Sequence, residues 1–160
     1  MTSLKSENSA LKETVQILVN QIDSNEQHSR SECLLIHGVA ENNTRTENAK
    51  LTFAAEVTQK VGVSVKENDI KRAHRYGPPR SDGKPRPLIA RFFDMRLRNK
   101  VYGEKKNCKG KGVFITENLT KRRMGIYRQA IEQYGKEKVW TQEGRIFARD
   151  SAGMKLDIIT

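Results

Sequence analysis

Aromatic side chains are scarce in this chain: they make up 6% of its residues, with a single tryptophan, and apolar residues as a whole reach only 36%. So little ring and aliphatic mass predicts a small core, with part of the chain elongated or solvated. Long hydrophobic runs are missing too. None approaches the roughly 20 residues of a membrane-spanning helix, and the opening residues MTSLKSENSA lack a basic segment followed by an apolar one. Neither insertion nor secretion is expected, and the chain reads as intracellular. Two cysteines, Cys33 and Cys108, stand far apart with no cysteine or histidine at metal-ligand spacing beside either. That excludes a disulfide framework or zinc cluster and predicts two reduced thiols, buried or half-buried. Histidine is equally sparse. His28, His37 and His74 are not paired with carboxylates at a catalytic spacing, and no phosphate loop of the Gly-Lys-Ser/Thr kind is present. No enzymatic activity, cofactor or metal is therefore expected.

Positive charge is what the chain has in excess, and it is unevenly placed. The formal net charge is +11, yet residues 1–70 hold 7 basic and 10 acidic side chains while residues 71–149 hold 22 basic and 7 acidic. A uniform excess would serve solubility alone. A neutral-to-acidic part joined to a strongly basic one describes a surface for a polyphosphate partner. The stretch DIKRAHRYGPPRSDGKPRPLIARF at 69–92 shows this in small, with only Asp69 and Asp82 set against its lysines and arginines.

The order of elements can be read from periodicity. Leucine returns every seventh residue at Leu4, Leu11 and Leu18, and Met1, Asn8, Val15 and Ile22 fill the second stripe of a heptad pattern. This predicts a coiled coil over residues 1–28, with β-branched residues and Leu in the positions that favour two strands and Asn8 setting register at some cost in stability. An amphipathic helix packed on its own domain is the alternative. Residues 23–31, DSNEQHSRS, have no period and read as a hinge. ECLLIHGV (32–39) is a buried strand. Cap candidates Asn43, Thr44 and Thr46 precede a helix whose apolar residues Ala49, Phe53, Val57 and Val61 recur every fourth position, widened by Leu51, Ala54 and Ala55 and ended at Gly62. A strand DIKRAHRYG, a turn-rich loop PPRSDGKPRP (78–87), a strand PLIARFF, a helix capped by Asp94 and a strand GVFITEN follow. Strand, helix, strand, strand, helix, strand predicts a four-stranded antiparallel sheet over 32–118 with both helices on one face. Residues 119–160 form a smaller α+β domain: a helix from the Thr120 cap to Tyr134, then three short strands turning at 142–144 and 150–153. The fold class is α+β in three parts.

Several basic residues are candidates for contact with a nucleic-acid strand. In DIKRAHRYG, Ile70, Arg72, His74 and Tyr76 alternate with Lys71, Ala73 and Arg75, so neither face is simply apolar. Guanidinium groups pair with phosphate in bidentate fashion, which selects Arg72, Arg75, Arg80 and Arg86; a solvated edge strand kept from aggregating by charge is the bland alternative. Lys84, Lys105, Lys106, Lys109 and Lys111 fall in glycine-containing segments where an ammonium can follow a moving phosphate chain. Lys121, Arg122, Arg123 and Arg128 load the helix after Leu119, and Trp140, Arg145 and Arg149 decorate the strands beyond it. Charge there would hold a backbone while the ring stacks on a base, worth about 1 to 3 kcal/mol per base, although Trp140 could equally anchor a small core. Rings on the two central strands are few: LLIHGV offers His37, and PLIARFF offers Phe92 and Phe93 only near its end. The sheet is thus expected to read bases poorly, leaving phosphate contacts, weak sequence preference and a steep salt dependence.

The succession of heptads, LLIHGVAE, DIKRAHRYG, KPRPLIARF, CKGKGVFITENLTKRR and VWTQEGRIFAR resembles the RNA-binding protein encoded by the first open reading frame of LINE retrotransposons, a family related to the few-polyhedra protein of baculoviruses. The resemblance spans essentially the whole chain. It implies a trimerising coiled coil, a noncanonical RNA-recognition module (32–118) and a C-terminal nucleic-acid-binding domain (119–160) that grip single-stranded RNA, and single-stranded DNA, between them. It further implies a nucleic-acid chaperone that coats its own transcript in cytoplasmic ribonucleoprotein particles, with access to the nucleus. By position, the family's basic helix matches Arg122, Arg123 and Arg128, its aromatic contact falls near Trp140, and its basic turn matches Lys105 and Lys106. The heptads here are far fewer than in long-rod members, and their residues favour a dimer where the resemblance implies a trimer. The residues themselves leave two other readings open: a coiled-coil adaptor whose basic face meets an acidic protein or anionic membrane surface, and a duplex reader, for which no recognition helix stands out.

Overall fold

The computed structural model describes residues 2–41 and 46–159; Met1 of the heptad stripe and the cap candidates Asn43 and Thr44 lie outside them. The chain is α+β, with one long N-terminal helix and antiparallel sheets. In order, helix α1 spans Thr2–Ser29, strand β1 Cys33–His37, helix α2 Ala49–Lys60, strands β2 Ile70–Arg75 and β3 Leu88–Phe92, helix α3 Met95–Gly103 and strand β4 Phe114–Glu117. Helix α4 (Lys121–Tyr134) and strands β5 (Val139–Gln142), β6 (Arg145–Arg149) and β7 (Lys155–Ile159) complete it. Two compact units result: Glu32–Asn118, and Met1–Ser31 together with Leu119–Thr160.

In the unit Glu32–Asn118 the sheet order is β2-β3-β1-β4, every pair antiparallel. The two-residue period of a strand sends Leu34, Ile36, Leu88, Ala90, Phe92 and Ile115 to one face, where they form a core with Phe53, Ala54 and Val57 of α2 and Val101 of α3. Phe53 meets Phe92 edge-on at 5.8 Å between ring centroids. Two expectations for α2 are corrected. Leu51 and Ala55 are exposed, because each lies two positions from the buried Phe53, about 200° around a helix of 3.6 residues per turn. The cap is Asn48, not Thr46: its side-chain oxygen accepts from the Leu51 N–H at 3.2 Å. Asp94 caps α3 as expected, accepting from the Arg96 N–H at 2.8 Å.

Strand β2 carries a bulge between Ile70 and Arg72. The extra residue resets the alternation, so Ile70 and Ala73 pack toward the core while Arg72 and His74 are exposed. The expected partition, with Ile70, Arg72 and His74 on one face, is therefore broken at the bulge. Beneath α3 the sheet encloses an ion pair: Arg98 donates from Nη2 to Glu117 at 2.8 Å and to the Cys33 carbonyl at 3.3 Å, both side chains being buried. Cys33 and Cys108 are buried free thiols, and burial pushes the Cys108 thiol above its ordinary range.

In the other unit, β5, β6 and β7 form an antiparallel sheet. Val139, Ile146 and Ala148 pack on Ala130 of α4, flanked by Ile126, Tyr127 and Ile131. Thr120 caps α4, accepting from the Arg123 N–H at 3.1 Å, and Gly135 (φ 94°) ends it. Glu143 and Gly144, both at positive φ, make the tight two-residue turn that matches strand twist between β5 and β6.

The expected hinge at 23–31 is not a hinge. Helix α1 continues to Ser29, and its last turns are the anchor. Asp23 accepts from the Thr120 hydroxyl at 2.6 Å, from Arg123 Nε at 2.8 Å and from Arg122 Nη1 at 3.1 Å; Gln27, one turn on, accepts from the Thr120 N–H at 2.9 Å. The segment has no apolar period because this contact is polar. The heptad stripe, by contrast, is not packed on the chain: Leu4, Leu11, Val15, Leu18 and Ile22 are 50–64% exposed, and Asn8 is exposed with them.

Candidate nucleic-acid interface

The arginines around the proline-rich loop divide by what their donors meet. Arg75, at the end of β2, is buried and uses every N–H it has: Glu47 takes two at 3.0 and 2.7 Å, and the carbonyls of Val39, Arg86 and Ala40 take three at 2.8–2.9 Å. It pins two loops together and offers nothing outward. Arg86 is similarly engaged, with Nε and Nη2 on the Glu41 carboxylate and Nη1 on the Gly77 carbonyl. These two expected phosphate contacts are thus placed as structural ties. Arg80 is exposed but grips Asp82 through two bonds, at 3.1 and 2.7 Å, while Asp82 also accepts from the Lys84 N–H. Arg72 and Lys84 are exposed and, among the described residues, form no ion pair.

The lysine-rich loop before β4 is more ordered than glycine-containing sequence suggests. Lys105–Cys108 form a 3-10 turn. Lys105 is half-buried with its ammonium 3.6 Å from the centre of the Tyr102 ring, and burial, only partly opposed by Glu117, lowers its pKa. Lys111 donates to the Lys60 carbonyl at 3.1 Å, closing the end of α2. Lys106 and Lys109 remain exposed without an ion pair among the described residues.

On α4, Lys121 and Arg128 are exposed and likewise unpaired. Arg122 reaches Asp23 and Asn20, and Arg123 is buried on Asp23 with a further bond of 2.7 Å to the Gly144 carbonyl. Burial alone would raise the Asp23 carboxyl, but hydrogen bonds from Thr120 and Arg123 and the charges of Arg123 and Arg122 outweigh it and hold it below the usual aspartate range. Arg123 is therefore an internal strut of this unit, whereas Arg128 faces solvent.

The sheet of the same unit pairs two aromatic rings, half-buried Trp140 and buried Phe147. Strand register sets Trp140 opposite Phe147, and the two rings stack at 5.7 Å and 21°. Cations cover them: Arg149 lies 5.4 Å from the centre of Trp140, and Arg145 and Lys155 lie 5.1 and 4.3 Å from that of Phe147, within the range of cation–π attraction. Arg145 also pairs with Asp157, and Gln142, Arg145, Phe147, Lys155 and Asp157 line a shallow recess. Trp140 is half-buried: it packs on Phe147, as the core-anchor reading expects, and Arg149 lies over its ring.

Sequence reasoning missed Phe147, Lys155 and Phe114. The first two signal themselves only through cross-strand register; Phe114 sits in GVFITEN, where alternation places it away from the core. It stacks on His37, ring centroids 4.4 Å apart and planes 3° from parallel. Burial, and then the charge of Arg80, lower the pKa of His37. Among the described residues no group of His, Cys, Asp or Glu is placed to hold a metal ion, and no helix is long and apolar enough to cross a membrane. Compared with models of known protein families and with curated proteins, the chain matches none.

Proposed function

We propose that this chain binds single-stranded RNA, and single-stranded DNA, as a non-catalytic, self-associating protein of the kind encoded by the first open reading frame of LINE retrotransposons. The observation that carries the proposal is that, of the expected contact residues, Arg72, Lys84, Lys106, Lys109, Lys121 and Arg128 are exposed and form no ion pair among the described residues, over both compact units. Side chains so placed can take phosphate oxygens without first breaking an internal ion pair, and the half-buried Trp140, backed by buried Phe147, offers part of its ring to an unpaired base. In this reading the strand-helix-strand-strand-helix-strand unit is a noncanonical RNA-recognition module, and the exposed heptad stripe of α1 is the seam of a coiled coil, a trimer by resemblance and a dimer by its residues. Self-association turns several weak phosphate contacts into tight coating of a transcript, which suits the chaperone role and a cytoplasmic ribonucleoprotein particle.

The test is competition. A fluorescent 20-nucleotide single strand bound to the full chain is challenged with the same strand unlabelled, with its duplex, and with phosphatidylserine vesicles, all at one ionic strength. The unlabelled single strand should displace the probe at the lowest concentration. Stronger displacement by vesicles would favour the membrane-facing adaptor, and stronger displacement by duplex would favour a double-strand reader.

A further inference from the structure

The ring pair His37–Phe114 belongs to the face of the Glu32–Asn118 sheet opposite α2 and α3. Antiparallel register puts the two residues directly across from each other on β1 and β4, on the side that also carries Cys33, Leu35 and Ile89. The His37 plane is fixed by Nε2, 2.9 Å from the Thr116 hydroxyl. Phe114 lies flat on that ring and is nevertheless 57% exposed. One face of the phenyl is therefore backed by a held ring and the other meets water. A glycine makes this possible. Gly38 has φ +91°, and a Cβ there would fall 2.2 Å from the Gly112 carbonyl oxygen, so only glycine lets the loop carrying Lys109 and Lys111 close against the end of β1 and deliver Phe114 onto His37. Lys109 is exposed in the loop itself.

We propose that His37 and Phe114 form a stacking platform for one unpaired nucleobase. This rests on the single-strand reading above and adds to it a base-contacting subsite, on a sheet expected to read bases poorly. An exposed phenyl supported from behind is pre-set for stacking, because no side-chain freedom remains to be lost when the base arrives. Every base has a flat face, so the subsite is indifferent to sequence.

The experiment compares a 20-nucleotide oligothymidylate with an abasic strand of equal length, each titrated into the full chain, into Phe114→Ala, Phe114→Leu and Phe114→Trp, with thermal melts of each variant. Phe114→Ala and Phe114→Leu should each weaken oligothymidylate binding about 5- to 100-fold and leave abasic binding unchanged; Phe114→Trp should keep the affinity and lose more fluorescence than the parent on binding oligothymidylate, but not on binding the abasic strand. Should Phe114→Leu bind oligothymidylate as tightly as the parent, or weaken both strands equally, the platform is wrong while the single-strand reading stands. Should the unaltered chain bind neither strand, both fail.

Discussion

Arg72 and Arg75 lie three residues apart on β2, yet their guanidinium groups have opposite situations: one exposed, one with all five donors taken by the protein. Removing Arg75 leaves Glu47 and three carbonyls without their donor. Breaking such a buried pair costs about 3 to 5 kcal/mol, so Arg75→Ala should lower the urea midpoint markedly, whereas Arg72→Ala should shift stability by less than about 0.5 kcal/mol and weaken strand binding instead. Equal midpoints would mean that Arg75 is not the pin. On α4 the same contrast holds between Arg123, buried on Asp23, and exposed Arg128. Arg128→Ala should reduce affinity for mixed sequences alike without moving the melting temperature; Arg123→Ala should melt earlier. Which arginines are ties and which are contacts was not legible in the sequence, since the partners Glu47, Glu41 and Asp23 lie 28, 45 and 100 residues away. The same holds for Arg98, whose buried pairing with Glu117 leaves no local signature.

Elements were easier to read than partners. Helices and strands follow from apolar periods of four and two, and Asp94 and Thr120 cap where short polar residues precede a period. Two things broke the pattern. The bulge in β2 inserts a residue that no alternation count anticipates, and the foot of α1 docks through Asp23 and Gln27, polar residues that read as linker. That polar dock makes the foot of α1 sensitive to acid. The folded pKa of Asp23 is lowered, so its contribution is complete above the unfolded value, about 3.9, and is lost as pH falls through the folded one. Thermal stability of the full chain should decline below about pH 4, and Asp23→Asn should lower stability at pH 7 while flattening that decline. An unchanged decline in Asp23→Asn would assign it to other carboxylates. The exposed stripe above the dock predicts association: Leu11→Ser with Leu18→Ser should leave the fold intact and reduce the light-scattering mass to that of one chain. A monomeric parent at the same concentration would remove the coiled coil from the account.

Over the whole molecule, charge and fold are partitioned differently. The basic residues 71–149 cross from one compact unit into the other, so the cationic surface is not the property of a single domain. Several arginines are consumed within each unit, and the exposed remainder is what a polyanion would meet. Phosphate neutralisation by that remainder releases counterions, with log affinity falling against log salt by about 0.7 for each phosphate on a single strand. The most direct measurement is therefore the affinity of the full chain for a mixed-sequence 20-nucleotide single strand across a salt series. The account predicts a tight complex near physiological ionic strength and a steep linear loss corresponding to several phosphates, shallower in Arg72→Ala and Arg128→Ala. A folded, associated protein that forms no complex, or one whose affinity is flat with salt, would contradict it.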